Sequence, residues 1–186
     1  RYLGYGNNTP DERTMELIDI CINEVEAAAD YKSVCRRFNV HISGDDIRIG
    51  NLQVKSGALA ANLRGCDEVI LMAATLSVGV DRILNRNIKL DMAKAAVIQA
   101  VAATAIEEYC DRCQREIEEE VRGEGYYVRP RFSPGYGDFS LEVQSAFLEM
   151  TDATKLIGIT LTDGGIMVPE KSVTAVIGLT KIDKRG

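Results

Sequence analysis

The residues that follow Glu68 form an almost unbroken apolar run, Val-Ile-Leu-Met-Ala-Ala-Thr-Leu, that ends at Leu76. A strand with one polar face would alternate between apolar and polar residues, and this run does not alternate. It therefore predicts a central strand of a sheet that is buried on both faces. The rest of the chain must then cover that strand from both sides.

The N-terminal stretch predicts an amphipathic helix. Thr9 as N-cap, Pro10 at the first helical position and Glu12 at the third form a capping box. The helix is expected to end at about Ala29. Its apolar face consists of Ile18, Cys21, Ile22, Val25 and Ala29.

Further helices are predicted along the chain. Ser56 is the N-cap of a short helix through Leu63, another helix spans about 78–85, and Ser140 caps a helix that ends at about Met150. The longest helix covers about 91–121 and would be roughly 45 Å long at about 1.5 Å per residue. A row of small residues on it ends in a carboxylate and predicts a close neighbour, either a sheet or a ligand. That row is Ala96, Ala100, Ala103 and Glu107.

Besides the central run, strands are predicted at 34–42, 46–50, 125–128, 156–162, 166–168 and 172–180. The turn at 44–46 makes the first two an antiparallel pair. Gly164-Gly165 predicts a turn between the strands at 156–162 and 166–168, and Pro169 interrupts the chain before the last strand, so the end of the chain is expected to be hairpin-like. Helices and strands do not alternate regularly, which predicts an α+β fold. We expect a single domain over residues 1–186, with a mainly antiparallel sheet packed by helices.

Composition excludes some classes of function. The net charge of the 186 residues is −6, which argues against a nucleic-acid surface. No run approaches the roughly 18 consecutive apolar residues of a membrane helix. Five cysteines, an odd number without framework spacing, favour a cytoplasmic protein. Because the chain does not begin with methionine, residues preceding Arg1 are expected.

The segment 129–140, Arg-Pro-Arg-Phe-Ser-Pro-Gly-Tyr-Gly-Asp-Phe-Ser, has the composition of a ligand-binding loop. Its prolines bias Arg129 and Ser133 towards extended backbone, and Pro134-Gly135 predicts a turn. The stiff loop would present a guanidinium close to an aromatic ring. Arginine binds carboxylates with paired hydrogen bonds and tyrosine can cover a ring, so we predict a small anionic ligand with a flat end. The alternative is a surface turn whose tyrosine packs on the core.

Other motifs give weaker signals. Cys110 and Cys113 form a Cys-x-x-Cys motif within the long helix, and we interpret both as helix residues rather than a zinc or redox site. His41, the sole histidine, is interpreted as a packed or surface residue of a strand. Phosphate-loop, dinucleotide and Ser-His-Asp patterns are absent from the sequence. We therefore predict no catalytic side chain and no metal site, and expect any chemistry to reside in a bound ligand or cofactor.

The segment from Arg131 to Tyr136 resembles a known motif. Arg-Phe-Ser-Pro-Gly-Tyr is similar to the Arg-x-x-x-Gly-Tyr pattern of the activation domain of cobalamin-dependent methionine synthase, where this loop binds S-adenosylmethionine. The stretches 167–178 and 58–76 resemble the same domain and its short stand-alone bacterial relatives. The resemblance covers most of the chain and implies a methionine synthase activation domain-like fold.

The resemblance also implies roles for individual residues. Arg131 would bind the methionyl carboxylate, and Tyr136 would line the pocket. The backbone from Ser133 to Gly135 would meet the adenosyl portion, and Glu107 would help to hold the ligand. A carboxylate suits the ammonium and sulfonium of S-adenosylmethionine, and tyrosine can lie against a cation or a purine.

The implied function is reactivation of a separate methionine synthase or a related corrinoid protein. Its cobalamin, carried by the partner, would be restored from the cob(II)alamin form by reductive methylation with S-adenosylmethionine. A flavodoxin- or ferredoxin-type protein would donate the electron. Two alternatives remain: a non-catalytic protein that caps or stabilises a corrinoid module, and an S-adenosylmethionine sensor without a corrinoid partner.

Overall fold

The computed structural model describes residues 11–181 of the chain. In its N-terminal half, the helices and strands are α1 (Glu12–Ala28), β1 (Lys32–Ser43), β2 (Asp46–Ile49), β3 (Leu52–Lys55), α2 (Gly57–Asn62), β4 (Glu68–Thr75) and α3 (Val78–Leu90). After these come α4 (Met92–Arg122), β5 (Tyr127–Val128), a 3-10 turn (Leu141–Val143), α5 (Gln144–Thr151), α6 (Ala153–Ile157), β6 (Thr160–Leu161), β7 (Met167–Val168) and β8 (Ser172–Thr180).

Strand β4 lies inside a six-stranded antiparallel sheet with the order β3-β2-β1-β4-β8-β5. At its centre, Met72 lies opposite Cys35 of β1 and Ala175 of β8. Every residue of β4 after Glu68 is buried. The prediction of a central strand is confirmed.

The two faces of the sheet are covered by different helices. On one face, Ile70, Met72 and Ala74 of β4 pack in a core cluster with α1, α3 and α4. On the other face, Val69 and Leu71 join a second cluster with α2, α5 and the apolar side of β2 and β3. Alternation along the strand sends successive side chains to opposite faces, which explains why the apolar run is continuous.

Most predicted helices are present, with shifted ends. Asp11 is the N-cap of α1 and accepts a hydrogen bond from the Thr14 amide, whereas Thr9 and Pro10 lie outside the described residues. Ser56 caps α2, as predicted, by accepting from the Leu59 amide at 3.0 Å. Helix α3 continues to Leu90 rather than ending near 85, and α4 is within one residue of its predicted bounds. None of the described helices is both long and apolar enough to cross a membrane.

The predicted strand at 156–162 is wrong over its first half. The chain there forms helix α6, which ends at Ile157 and is capped by Gly158 with φ +75°, and only Thr160–Leu161 is a strand. Ala153 and Ile159 fill a third apolar cluster with Leu148 of α5. The packing of this short helix under the sheet overrides the strand propensity of the residues.

The hairpin expected near the end of the chain is present, with shorter strands than predicted. Strands β6 and β7 form a separate two-stranded antiparallel ribbon around the Gly164–Gly165 turn. Strand β8, whose predicted bounds are confirmed, follows Pro169 and pairs with β4 and β5. Strand β3 was not predicted, although Leu52 and Val54 alternate with Gln53 and Lys55 in the pattern of a half-buried strand.

Candidate functional site

The 129–140 loop begins as an extension of the sheet. The Arg129 amide donates to the Gly178 carbonyl at 2.8 Å, and Phe132 and Val176 exchange two backbone hydrogen bonds of 2.9 Å. The first residues of the loop are therefore held along the edge of β8. Strand pairing along this edge ends at Val176, so the part of β8 before it, from Ser172, has no strand neighbour on that side within the described chain.

Alternation along this extended segment decides where its side chains point. Phe132 packs against the second core cluster, and its ring centroid lies 6.2 Å from that of buried Phe139. Arg131 precedes Phe132 and so points to the opposite face of the sheet, where α4 lies. The side chain of Arg131 is only 17% exposed there.

The prediction of a Pro-Gly turn is confirmed. The Tyr136 amide donates to the Ser133 carbonyl at 3.2 Å, with Pro134 and Gly135 between them and Gly135 at φ +96°. Proline at the second position and glycine with positive φ at the third are the features of a type II turn. The Gly135 amide also donates to the Phe139 carbonyl at 2.8 Å, which closes the loop on itself.

Asp138 anchors the loop to α2. Its carboxylate accepts from the Ser56 hydroxyl at 2.5 Å, the Gly57 amide at 2.8 Å and the Ala58 amide at 3.1 Å. The hydroxyl and the two amides favour the ionised form and lower the pKa of Asp138 below its ordinary value. Together with the buried Phe139, this anchor holds the loop in a fixed position against the sheet.

The Arg131 guanidinium is bonded to three side chains of α4. Nη1 lies 2.8 Å from Oδ1 of Asp111 and donates to Oε1 of Gln114 at 3.1 Å. Nη2 lies 3.4 Å from Oε2 of Glu107. The long helix and the loop therefore meet at this guanidinium.

The charges around Arg131 favour a ligand that carries both signs. One guanidinium faces two carboxylates, and Glu107 and Asp111 are both more than half exposed. The guanidinium can bind a carboxylate, while the excess negative charge attracts a cation placed beside it. An α-amino acid group, with its carboxylate and ammonium on one carbon, has this combination.

The structure brings some of the predicted site residues together and separates others. Arg131 and Glu107 meet, as the resemblance implied. Ser133, Gly135 and Tyr136 form the neighbouring turn. Tyr136 is 64% exposed there, and its ring centroid lies 6.2 Å from that of Phe132. No hydrogen bond or ion pair among the described residues joins this turn to Glu107. The roles of all five residues stay predictions.

Asp111 and Gln114 were not predicted as site residues from the sequence. Both lie on the same face of α4 as Glu107, at spacings of four and then three residues, which places them in one row along a helix. That row was visible in the sequence as a polar continuation of the small-residue row. In the structure, Ala100 and Ala103 of the small-residue row are partly exposed beside it.

The remaining candidates do not form a reactive site. Cys110 and Cys113 are buried in α4, and burial raises the pKa of the Cys110 thiol to about 12, which is opposite to the shift of a redox thiolate. His41 is exposed on β1. Within residues 11–181, no cluster of three or more His, Cys, Asp or Glu side chains could hold a metal ion.

Comparison with known proteins supports the fold. No protein-family model matches the sequence, and no curated protein matches it significantly. Among solved structures, the chain is similar to the crystal structure of the MetH reactivation domain bound to AdoHcy, with a TM-score of 0.70. The alignment covers 97% of this chain and 69% of that chain at 16% identity. The α+β fold expected from the resemblance is confirmed.

Proposed function

We propose that the Arg131 cluster binds the amino-acid end of S-adenosylmethionine and that the protein supports reactivation of a separate cobalamin-dependent methionine synthase. The observation that carries this proposal is the guanidinium held between the loop and α4, beside two carboxylates. The guanidinium matches the carboxylate of the ligand, and the two carboxylates match its ammonium. The fold supports the proposal because the similar reactivation domain was crystallised with AdoHcy.

The part played by this chain would be binding and orientation. Arg131 would hold the ligand carboxylate, and Glu107 would accept from the ammonium. Ser133, Gly135 and Tyr136 would flank the adenosyl portion, since they form a rigid turn two to five residues after Arg131. S-Adenosylmethionine would supply the methyl group and leave AdoHcy, and the electron would come from a flavodoxin- or ferredoxin-type donor. Holding the methyl donor in the correct orientation can by itself account for a large part of the rate acceleration of a group transfer.

A macromolecular partner is favoured by the surface around the loop. Tyr136 is 64% exposed and Leu141, just after the loop, is 59% exposed. Exposed aromatic and aliphatic side chains beside a ligand site are typical of a surface that a partner covers. The partner in this proposal is the cobalamin-binding module of methionine synthase or of a related corrinoid protein.

The test is calorimetric titration of S-adenosylmethionine and AdoHcy into the wild type, Arg131→Ala and Arg86→Ala. Arg86 is an exposed arginine on α3, so the control removes the same charge away from the loop. We expect saturable binding that Arg131→Ala weakens by about 10- to 100-fold, because a charge-assisted hydrogen bond contributes about 1.5–3 kcal/mol. Arg86→Ala should bind like the wild type.

The titration is then repeated with the cobalamin-binding module of methionine synthase, and methylation of its cob(II)alamin in the presence of a reduced flavodoxin- or ferredoxin-type electron donor is followed by absorbance. Ligand binding together with Arg131-dependent methylation supports reactivation. A complex that forms without any ligand binding would show a capping protein instead. Ligand binding without a complex would show a sensor.

A further inference from the structure

The contacts of Arg131 are unevenly distributed over its nitrogens. Nη1 contacts two acceptors, Asp111 Oδ1 at 2.8 Å and Gln114 Oε1 at 3.1 Å. Nη2 has the longer contact of 3.4 Å with Glu107. Nη1 therefore donates one hydrogen bond, to Gln114, and forms a close ion pair with Asp111.

This distribution decides which edge of the guanidinium can bind a ligand. A carboxylate takes two parallel hydrogen bonds from two nitrogens of one edge. The Nη1–Nη2 edge would require the ion pair with Asp111 or the hydrogen bond to Gln114 to give way first. The Nε–Nη2 edge requires only the long contact with Glu107 to give way, and Glu107 is then free to accept from a ligand cation.

The two acceptors of Nη1 project from one helix, α4. Asp111 and Gln114 are three residues apart on α4, so both project from adjacent turns of one helix face. Gln114 is half-buried. The backbone at Arg129 and at Phe132, on either side of Arg131, is hydrogen-bonded to β8. The guanidinium is thus held between two regular elements rather than swinging on a long side chain.

We propose that Asp111 and Gln114 are positioning residues that hold Nη1 of Arg131, so that its Nε–Nη2 edge meets the carboxylate of the ligand. This inference rests on the proposed function, because it specifies how the same site recognises the amino-acid group. Neither residue needs to touch the ligand. Their effect should appear only with ligands that carry the carboxylate, and only when Arg131 is present.

The experiment measures dissociation constants for AdoHcy and for 5′-methylthioadenosine, which has the adenosyl thioether but lacks the amino-acid group. The proteins are the wild type, Asp111→Ala, Asp111→Asn, Gln114→Met, Arg131→Ala and the double variant Asp111→Ala/Arg131→Ala. Glu108→Ala is the matched control, since it removes a neighbouring exposed carboxylate of α4. Circular dichroism checks that each variant is folded.

We expect Asp111→Ala to weaken AdoHcy binding by about tenfold, the usual coupling between residues in contact. Gln114→Met should have a smaller effect in the same direction, and Asp111→Asn, which keeps an acceptor oxygen, should restore part of the affinity. Binding of 5′-methylthioadenosine should not change in any of them. In the Arg131→Ala background, Asp111→Ala should have no further effect.

Three results would overturn the inference while leaving the proposed function intact. Tighter AdoHcy binding by Asp111→Ala would show that Asp111 competes with the ligand for Arg131. Equal losses for both ligands, or a loss that persists without Arg131, would show a merely structural role. A wild type that binds neither ligand, or that binds AdoHcy with no dependence on Arg131, would instead overturn the proposed site and the inference with it.

Discussion

At the scale of single residues, Asp138 shows how one carboxylate fixes a loop. Its hydrogen bonds reach the side chain and backbone of α2, 80 to 82 residues earlier in the chain. The Ser56 hydroxyl is the largest cause of its lowered pKa, followed by the two amides. The position of the loop that carries Arg131 depends on this distant attachment.

We expect Asp138→Asn to lower the melting temperature at pH 7, because the amide loses the charge-assisted bonds. The pKa of Asp138 is lower in the folded protein than its ordinary 3.8, so its stabilising effect is fully present above that value and is lost as the pH falls through the folded pKa. The difference in melting temperature between wild type and variant should therefore shrink below about pH 4. A difference that stays constant down to pH 2.5 would contradict this assignment.

Gly137 is required for two separate reasons. Its φ is +56°, and a Cβ added to it would lie 2.9 Å from Cβ of Ala58. We expect Gly137→Ala to lower the free energy of unfolding by roughly 2–3 kcal/mol, because the strained backbone and the close contact both destabilise the folded state. Gly165→Ala is the control, because its φ is +76° but its added Cβ would meet nothing within 4 Å.

Urea unfolding separates the two costs at Gly137. We expect Gly165→Ala to lose only the backbone part, about 1 kcal/mol. Adding Ala58→Gly to Gly137→Ala removes the close contact but not the strained backbone. Recovery of stability in this double variant would confirm the contact, and no recovery would contradict it.

At the scale of elements, the helices on the first face of the sheet pack unusually closely where α1 ends and α3 begins. A Cβ on Gly79 would lie 2.1 Å from the backbone carbonyl oxygen of Ala28. We expect Gly79→Ala to lower the free energy of unfolding by about 3 kcal/mol, because a backbone atom cannot move aside as a side chain can. Denaturant unfolding measures this directly.

Gly123 supplies the matched control for Gly79. It ends α4 with helical backbone angles, and the nearest atom to its added Cβ is 3.5 Å away. Gly123→Ala should change the free energy of unfolding by no more than about 0.5 kcal/mol. If the two variants were equally stable, the close approach of α1 and α3 would not limit the size of residue 79.

The elements also show why part of the fold could be predicted from sequence. Strand β8 and helix α4 were predicted to within one residue, because each is long: β8 has nine residues, many of them β-branched, and α4 has 31 residues with a helical repeat. Strand β3 and helix α6 are only four and five residues long. Short elements carry too few residues for a period to be distinguished.

At the scale of the whole molecule, ligand binding should stabilise the fold. The Arg131 site joins α4, the loop and, through Asp138, α2, so a ligand bound there adds to contacts between elements from distant parts of the sequence. At about 100 times its dissociation constant, a ligand contributes about 2.7 kcal/mol.

We expect saturating AdoHcy to raise the melting temperature of the wild type by about 5–10 °C, since 1 kcal/mol corresponds to about 2–4 °C at this chain length. Arg131→Ala should show almost no shift at the same ligand concentration, whereas Arg86→Ala should show the full shift. Differential scanning calorimetry is the measurement. An equal shift in all three proteins would place the ligand away from Arg131.

The sequence by itself determined the parts of this protein that depend on neighbours along the chain. The buried run of β4, the length of α4, the cap at Ser56 and the turn at Pro134-Gly135 all follow from local periodicity and turn chemistry. The resemblance added the expectation that Arg131 and Glu107 hold the same ligand.

Only the tertiary structure decided how these parts meet. The insertion of β8 between β4 and β5 brings the loop to α4, and alternation from Phe132 then points Arg131 at Glu107, Asp111 and Gln114. The attachment of Asp138 to Ser56 is equally non-local. Such contacts join residues that are 17 to 82 positions apart. They arise from burial of both faces of one sheet, which no local pattern specifies.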